Sequence, residues 1–394
     1  MKRLIALFVI SFLVITPNTQ AAPKKIVVNT LKLLTTIGLP TEVSGVVISG
    51  KNFVVFGTQN SLAYAKAVDS NGNELWKLQL DQSQASMASA AVVDSAGDIW
   101  IAGVTPVAAA VSATPSPVIN PDNAVMPPIT FIGDLKTLTI WKVSSTGTLA
   151  ATYTSPASNV ILPTSITLNG SGLAIVGSMA GEKLNAGFII FMNSSGLFSK
   201  TLQIGLASTT IESVTRNTDK TFTLVGSSGE TIAGRKLAGL IDGVIIKVSK
   251  SLRITSVVRS SISKGKRIWN TTTPSLLLGG EVVVRNKSEV AVTKFSSRYV
   301  PTWTHRFPGA GPAFTTGSTQ LLFLSNGAIR ELVWNPKTPT ALLITFNSKG
   351  VISAADSAPV GQRLLVGSLE SKDLGPVVVT SSADLVSIFV RNTR

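Results

Sequence analysis

One histidine, no cysteine and twenty carboxylates in 394 residues limit the chemistry this chain can do. A Ser-His-Asp arrangement would have to use His305, and a zinc site would hold one imidazole at most. His305 lies in the stretch 301–307, whose alternation places Trp303, His305 and Phe307 on one strand face. That pattern reads as a histidine packed among aromatics on a half-buried strand. Asp69, Asn71 and Asn73 alternate around Gly72 and could offer oxygens to calcium. A helix-flanked calcium loop also needs a bidentate carboxylate at its twelfth position, which here is Leu80. Asp and Asn before Gly are equally the chemistry of a hairpin turn, and so we read them. No close carboxylate pair of the kind used on glycosidic bonds repeats along the strands. The sequence therefore nominates no catalytic residue, no metal ligand and no cofactor site.

Charge is more informative. Arg235 to Arg306 holds fourteen basic and three acidic residues, a net of +11, whereas the rest of the chain beyond residue 22 sums to +2. Like charges gathered this way repel one another, so the cluster points to an anionic partner. The candidate contact residues are Arg253, Arg259, Lys264, Lys266, Arg267, Arg285 and Lys287, with Trp269 able to stack on a sugar ring or a cation.

The elements that must position these residues emerge from a repeat. An apolar residue is followed by Asp, Ser or Asn and, three positions later, by Gly: 68–72, 143–147, 192–196 and 346–350. Two degenerate copies start at Ser249 and Ser296 and carry Leu252 and Tyr299 in the glycine column. The polar starters are 75, 49, 56, 47 and 51 residues apart, a unit of about 50 with one insertion. Each unit has a second landmark, an apolar strand closed by Gly: 53–57, 99–103, 173–177, 222–226 and 276–280, with 321–324 and 364–367 as further members. Continuous apolar runs suit strands covered on both faces, and the closing glycine suggests a positive backbone angle at a tight exit. In the second unit the four strands read as 86–93, 98–103, 138–143 and 149–154. Stacked units of this length made of strands alone predict an all-β fold, a β-propeller of about seven four-stranded blades. The last unit is one strand short, and 26–37 precedes the first complete unit. The N-terminal strand is thus expected to complete the final blade and close the ring.

The repeat resembles that of bacterial seven-bladed β-propeller repeat proteins. Residues 240–249 look like that family's Asp, small residue, apolar strand and Lys, and 68–76 are similar to its Asp, Gly, Trp turn-and-strand. Residues 67–76 also resemble the tryptophan-docking motif of quinoprotein propellers, although one residue is missing between Asp69 and Gly72 and Trp76 is read as having no counterpart in other blades. The first resemblance implies a fold and leaves function open.

Residues 1–22 have a basic start at Lys2 and Arg3, a twelve-residue apolar run from Leu4 to Ile15, and small residues at Ala21 and Ala22, the pattern of a secretory leader. The propeller is expected to occupy 23–394, with a Pro- and Ala-rich loop inserted at 104–134 whose Val125, Met126, Ile129 and Phe131 could be buried against a partner. The reading that follows is a secreted or cell-surface binding or scaffold protein. Its partner would be an anionic wall polymer, acidic polysaccharide or lipid surface, or another secreted protein, held by blades four and five. The alternative is a carbohydrate-active hydrolase or lyase working at the propeller mouth.

Overall fold

The computed structural model describes residues 25–82, 85–107 and 135–392. The leader read at 1–22 and most of the 104–134 insertion lie outside them. Among the described residues there are thirty strands and no helix.

The chain enters through β1 (Ile26–Thr30) and β2 (Lys32–Gly38) and then lays down antiparallel sheets in order. The first comprises β3 (Val43–Ser49), β4 (Asn52–Gln59), β5 (Leu62–Val68) and β6 (Glu74–Gln79). The second comprises β7 (Met87–Val93), β8 (Ile99–Thr105), β9 (Thr137–Val143) and β10 (Leu149–Pro156). The third holds β11 (Val160–Asn169), β12 (Gly172–Gly181), β13 (Leu184–Met192) and β14 (Leu202–Ile204). The fourth holds β15 (Thr209–Arg216), β16 (Phe222–Ser228), β17 (Asp242–Val248) and β18 (Ile254–Ser260). The fifth holds β19 (Gly265–Thr272), β20 (Leu277–Val284), β21 (Lys287–Phe295) and β22 (Pro301–Pro308). The sixth position is built from β23 (Phe314–Thr316), β24 (Gln320–Ser325), β25 (Leu332–Val333), β26 (Thr340–Phe346) and β27 (Ile352–Ser357). The last sheet has β28 (Leu364–Ser371), β29 (Gly375–Ser381) and β30 (Val386–Val390).

Ring closure follows the sequence expectation in its second half. β2 pairs antiparallel with β30 and supplies the outer strand of the last blade. β1 does something else: it runs parallel to β27 and β25, widening the sixth sheet to six strands. Six sheets are therefore regular four-stranded blades, not the seven expected. The inner strands touch in succession around the ring, and β28 meets β3. The result is a β-propeller.

The apolar runs are explained by burial on both faces. In β4, Phe53 and Val55 pack with Val377 and Val379 of the last blade, whereas Val54 and Phe56 pack with Ile99, Ile101 and Trp141 of the second. Each such side chain contributes about 1.5–3 kcal/mol of apolar burial, so an aspartate at Val55 would break this seam.

Each of the six four-stranded blades has a one-residue bulge in its inner strand, at Ser44, Ser89, Thr164, Glu212, Asn270 and Val366. The landmark glycines Gly57, Gly103, Gly177, Gly226 and Gly280 pair with the residue just before the bulge. They do not have positive φ, which corrects the reason inferred from sequence. A Cβ at any of them would collide with a carbonyl of the bulged strand, namely Glu42, Met87, Leu162, Thr210 or Ile268. The seventh landmark also moves: 364–367 belongs to the inner strand β28, and the equivalent buried run is Val377–Val379 in β29.

Candidate functional site

The outer turns come first, because they fix which end of the ring a residue occupies. In the turns 69–73, 144–148, 193–197, 249–253, 296–300 and 347–351 the first N–H donates to the fifth carbonyl and the fourth N–H to the first carbonyl. The fourth residue has positive φ even where it is Leu252 (56°) or Tyr299 (58°) instead of glycine. Asp69 Oδ1 accepts the N–H groups of Asn71 and Asn73, both at 2.8 Å, the bonding of a hairpin turn. Three of these turns receive an aromatic ring from the preceding blade. Trp76 covers Gly147 and donates its indole N–H to the Ser145 carbonyl at 3.2 Å; Tyr153 covers Gly196; Trp303 covers Gly350. Trp303 follows Ser296 by seven residues, as Trp76 follows Asp69, so the Trp does recur, contrary to the sequence reading. His305 joins the same dock. Its Nε2 hydrogen-bonds the Gly350 carbonyl at 2.7 Å, and its ring stacks on Phe307 and Phe346.

Along the axis the bulge residues tie neighbouring blades together. Ser89 donates its hydroxyl to the Pro163 carbonyl and Thr164 to the Ile211 carbonyl, both at 2.7 Å; Asn270 Oδ1 accepts the Ala313 N–H at 3.3 Å. Glu212 is the one ionisable member of this set, and burial pushes its carboxyl up, partly opposed by the Thr210 hydroxyl. A central cavity of about 640 Å³ is lined by Ser44, Ser89, Thr164, Val366, Phe314 and Leu364 among others, all apolar or hydroxyl-bearing. No carboxylate or imidazole is among its lining residues, and among the described residues no group of three or more Asp, Glu or His could hold a metal.

The basic stretch divides into an inside and an outside. Arg259 is internal: its guanidinium pairs with fully buried Asp242 at 3.2 Å and donates to the carbonyls of Glu230 and Arg235. Arg267 is only 5% exposed, lies 4.1 Å over the Trp269 ring and donates to the Thr293 hydroxyl at 3.2 Å. Burial, aided by the charge of Arg306, lowers its pKa to about 10. Trp269 is completely buried against Phe295. Arg259 therefore braces the fourth blade from within, while Arg267 and Trp269 pack against Gly243 across the seam between the fourth and fifth.

Arg253, Lys264, Lys266, Arg285 and Lys287 are exposed. Arg253 sits in the turn 249–253, at the opposite end from the others. Lys264 and Lys266 flank the start of β19, and Arg285 and Lys287 flank the β20–β21 hairpin. Gly265 pairs with Val284 and Lys266 with Val283, so the two pairs of cations are neighbours across one ladder. On the other side, Ile241 bridges Lys266, and the Leu240 N–H donates to the Gly265 carbonyl at 2.9 Å. That contact brings in the loop 229–241 with exposed Arg235 and Lys236, which the sequence reading left out of its site. Both lie inside the +11 stretch, but their place on a loop folded back beside β19 has no local signal.

Three acids of the fourth and fifth blades at this end are held by internal donors. Glu230 accepts the N–H groups of Leu206, Ala207 and Ser208 at 2.9–3.2 Å and the Thr209 hydroxyl at 2.6 Å. Burial alone would raise its pKa, yet these donors hold it below the ordinary value. Asp242 is likewise lowered: burial opposes, and the Ala238 N–H, Ser261 hydroxyl, Gly239 N–H and Arg259 outweigh it. Glu281 accepts the Ser288 hydroxyl and the Gly311 N–H. Glu289 alone meets surface cations, Lys287 at 3.1 Å and Arg306 at 3.9 Å.

No protein-family model matches the chain, and no curated protein matches it in sequence. Among solved structures it is similar to a protein from Lactobacillus plantarum, with a TM-score of 0.49 and 10% identity over 86% of this chain and 92% of that one. It is similar to YCF48 bound to a D1 peptide, with a TM-score of 0.48 and 10% identity over 93% and 98%. A structure from work on two prolyl endopeptidases gives 0.48 and 12% identity over 88% of this chain and 47% of that one. None of the three carries a functional inference to this chain, whose β-propeller fold suits a binding or scaffold role in general.

Proposed function

We propose that this chain is an exported binding or scaffold propeller that holds an anionic partner through the loop end of its fourth and fifth blades. The reading is supported by one arrangement: Arg235, Lys236, Lys264, Lys266, Arg285 and Lys287 are exposed along hydrogen-bonded neighbours, while Glu230, Asp242 and Glu281 turn to internal donors. Lys287 meets Glu289 at 3.1 Å, and the other five have no ion pair among the described residues; cations left without compensating acids raise the local potential and attract counter-charge. A groove of about 470 Å³ lined by Arg235, Lys236, Val257, Val258 and Arg259 opens beside them. Export rests on the 1–22 leader pattern, and in that compartment anionic wall polymers, acidic polysaccharide and lipid headgroups are the matching chemistry.

The test is salt elution from immobilised heparin. Changing Lys264, Lys266, Arg285 and Lys287 together to Gln is expected to lower the eluting salt substantially, because each charge contact adds to the salt dependence. Melting should change little, since exposed substitutions usually stay within about 0.5 kcal/mol each. A control carrying Lys250→Gln, Arg253→Gln and Arg298→Gln at the opposite end should elute with the parent. Equal elution of parent and quadruple variant would reject this surface.

A further inference from the structure

We propose that a separate groove between the sixth and seventh sheets binds a small amphipathic carboxylate, with Arg363 as its anion anchor. The groove measures about 570 Å³, within the ~300–1,000 Å³ range of small-ligand sites. Leu324, Pro339 and Val360 line it with apolar surface, and Asn326, Thr338 and Arg363 bring the polar groups. No side-chain hydrogen bond or ion pair engages any of those three polar groups among the described residues. Only their backbones are used: the Asn326 N–H donates to Pro308, the Thr338 carbonyl accepts from Thr340, and the Arg363 N–H donates to Ser381.

This combination selects a ligand class. A guanidinium offers a planar fork that matches a carboxylate, and no acid lines the groove to neutralise it first. Arg363 thus differs from Arg259 and Arg391, which are committed to Asp242 and Asp356. The apolar walls call for a hydrocarbon or aromatic tail attached to that carboxylate. Val360 is 79% exposed, unusual for a branched apolar side chain, and it sits on the connection from β27 to β28, two residues after Ala358 and three before Arg363. Gly361 between them has φ of 101°, a left-handed backbone that places the apolar and cationic residues on one short bend. The proposal is independent of the basic face on blades four and five, since no residue is shared.

Octanoate is the probe, with octanol and octylammonium as matched tails lacking the anion. Titration followed through the Leu324 methyl resonances, which every variant retains, should show saturable octanoate binding at least tenfold tighter than either analogue. Arg363→Gln should abolish that preference and weaken octanoate binding by about 10–100-fold, the usual effect of removing a charge-assisted partner. Arg363→Lys should fall between, keeping the charge and losing the fork. Val360→Ser should weaken all three tails together and keep the preference for the anion. The quadruple Gln variant at residues 264, 266, 285 and 287 should bind octanoate like the parent, which separates this site from the other surface. Failure of octanoate to saturate the parent, equal binding of the three probes, or an unchanged Arg363→Gln would each overturn the proposal.

Discussion

At one end of the ring the third and fourth strands of six sheets are joined by one five-residue turn, repeated with the same pair of backbone hydrogen bonds. At the other end the connections range from the tight hairpin at 285–286 to the loops 229–241 and 326–339. The first end is stabilised locally, by backbone bonds within five residues and by rings docked from the preceding blade. The second is tied together by side chains far apart in sequence: Glu230 caps the N–H groups of 206–208, and Arg259 reaches Asp242 and the carbonyls of 230 and 235. Local bonding must repeat and so leaves a period in the sequence. Long-range bonding is free to vary, and it is at this end that the paired cations of β19–β21 and the Arg363 groove are found.

The largest effect is expected from opening the ring on which both ends depend. Deleting residues 25–38 removes β1 from the sixth sheet and β2 from the last blade, and exposes the edge of β30. The apolar burial of even one strand is comparable with the net stability of a domain, about 5–15 kcal/mol. The shortened chain should lose its cooperative melting transition or aggregate on size exclusion. A parent-like melting curve would show that the ring does not need its N-terminal strand.

A smaller effect separates the two ends directly. Gly147 and Gly234 both have positive φ, 86° and 76°, so Ala at either should cost about 1 kcal/mol of backbone strain. At Gly147 the new Cβ would also overlap the Trp76 ring, whereas at Gly234 nothing lies within 4 Å. Overpacking of that kind adds about 1–3 kcal/mol. Urea unfolding of the two variants should therefore differ by that amount, Gly147→Ala being the weaker. If both lose the same stability, ring docking is not what distinguishes the turn end.

The same contrast explains what could be read from sequence. The strands of the second blade end within two residues of where alternation and turn chemistry placed them, because both signals are local. Leu252 and Tyr299 were recognisable as members of the glycine column from spacing alone. The closing glycines were seen, but their cause was hidden: it is a carbonyl of the neighbouring bulged strand, a contact that spacing cannot reveal. β1 reads like any strand, and only the assembled ring shows that it pairs parallel with β27 instead of joining β2. For the charged residues the limit is sharper. Lys266 and Arg267 are adjacent, yet strand alternation sends one to solvent and the other over Trp269. Sequence showed that charge accumulates, and only the fold shows which half of it faces out.

Acid should act on the two ends unequally, and here the expected effect is the smallest and most local. Glu230 and Asp242 have folded-state pKa values held below the ordinary carboxylate range, so their stabilisation is complete above that range. It is lost as pH falls from about 4 through the folded values, because protonation removes the charge that accepts the N–H groups of 206–208, 238 and 239. At the turn end, Asp69 and Asp94 are lowered in the same direction: Asp69 first by the Asn73 side chain, and Asp94 by the Trp100 indole and backbone N–H groups acting against burial. The turns led by Ser144, Asn193, Ser249, Ser296 and Asn347 have no proton to take up. Hydrogen exchange below pH 4, normalised to intrinsic rates, should deprotect Leu206, Ala207, Ser208, Ala238 and Gly239 while Ser195 and Leu197, bonded to Asn193, stay protected. Glu230→Gln should reproduce the loss at 206–208 at neutral pH and flatten its acid response, since an amide offers one acceptor oxygen and no charge. Uniform loss of protection at both ends would mean that acid unfolds the ring as a whole before the carboxylates release the loops, and the two ends would then share one stability.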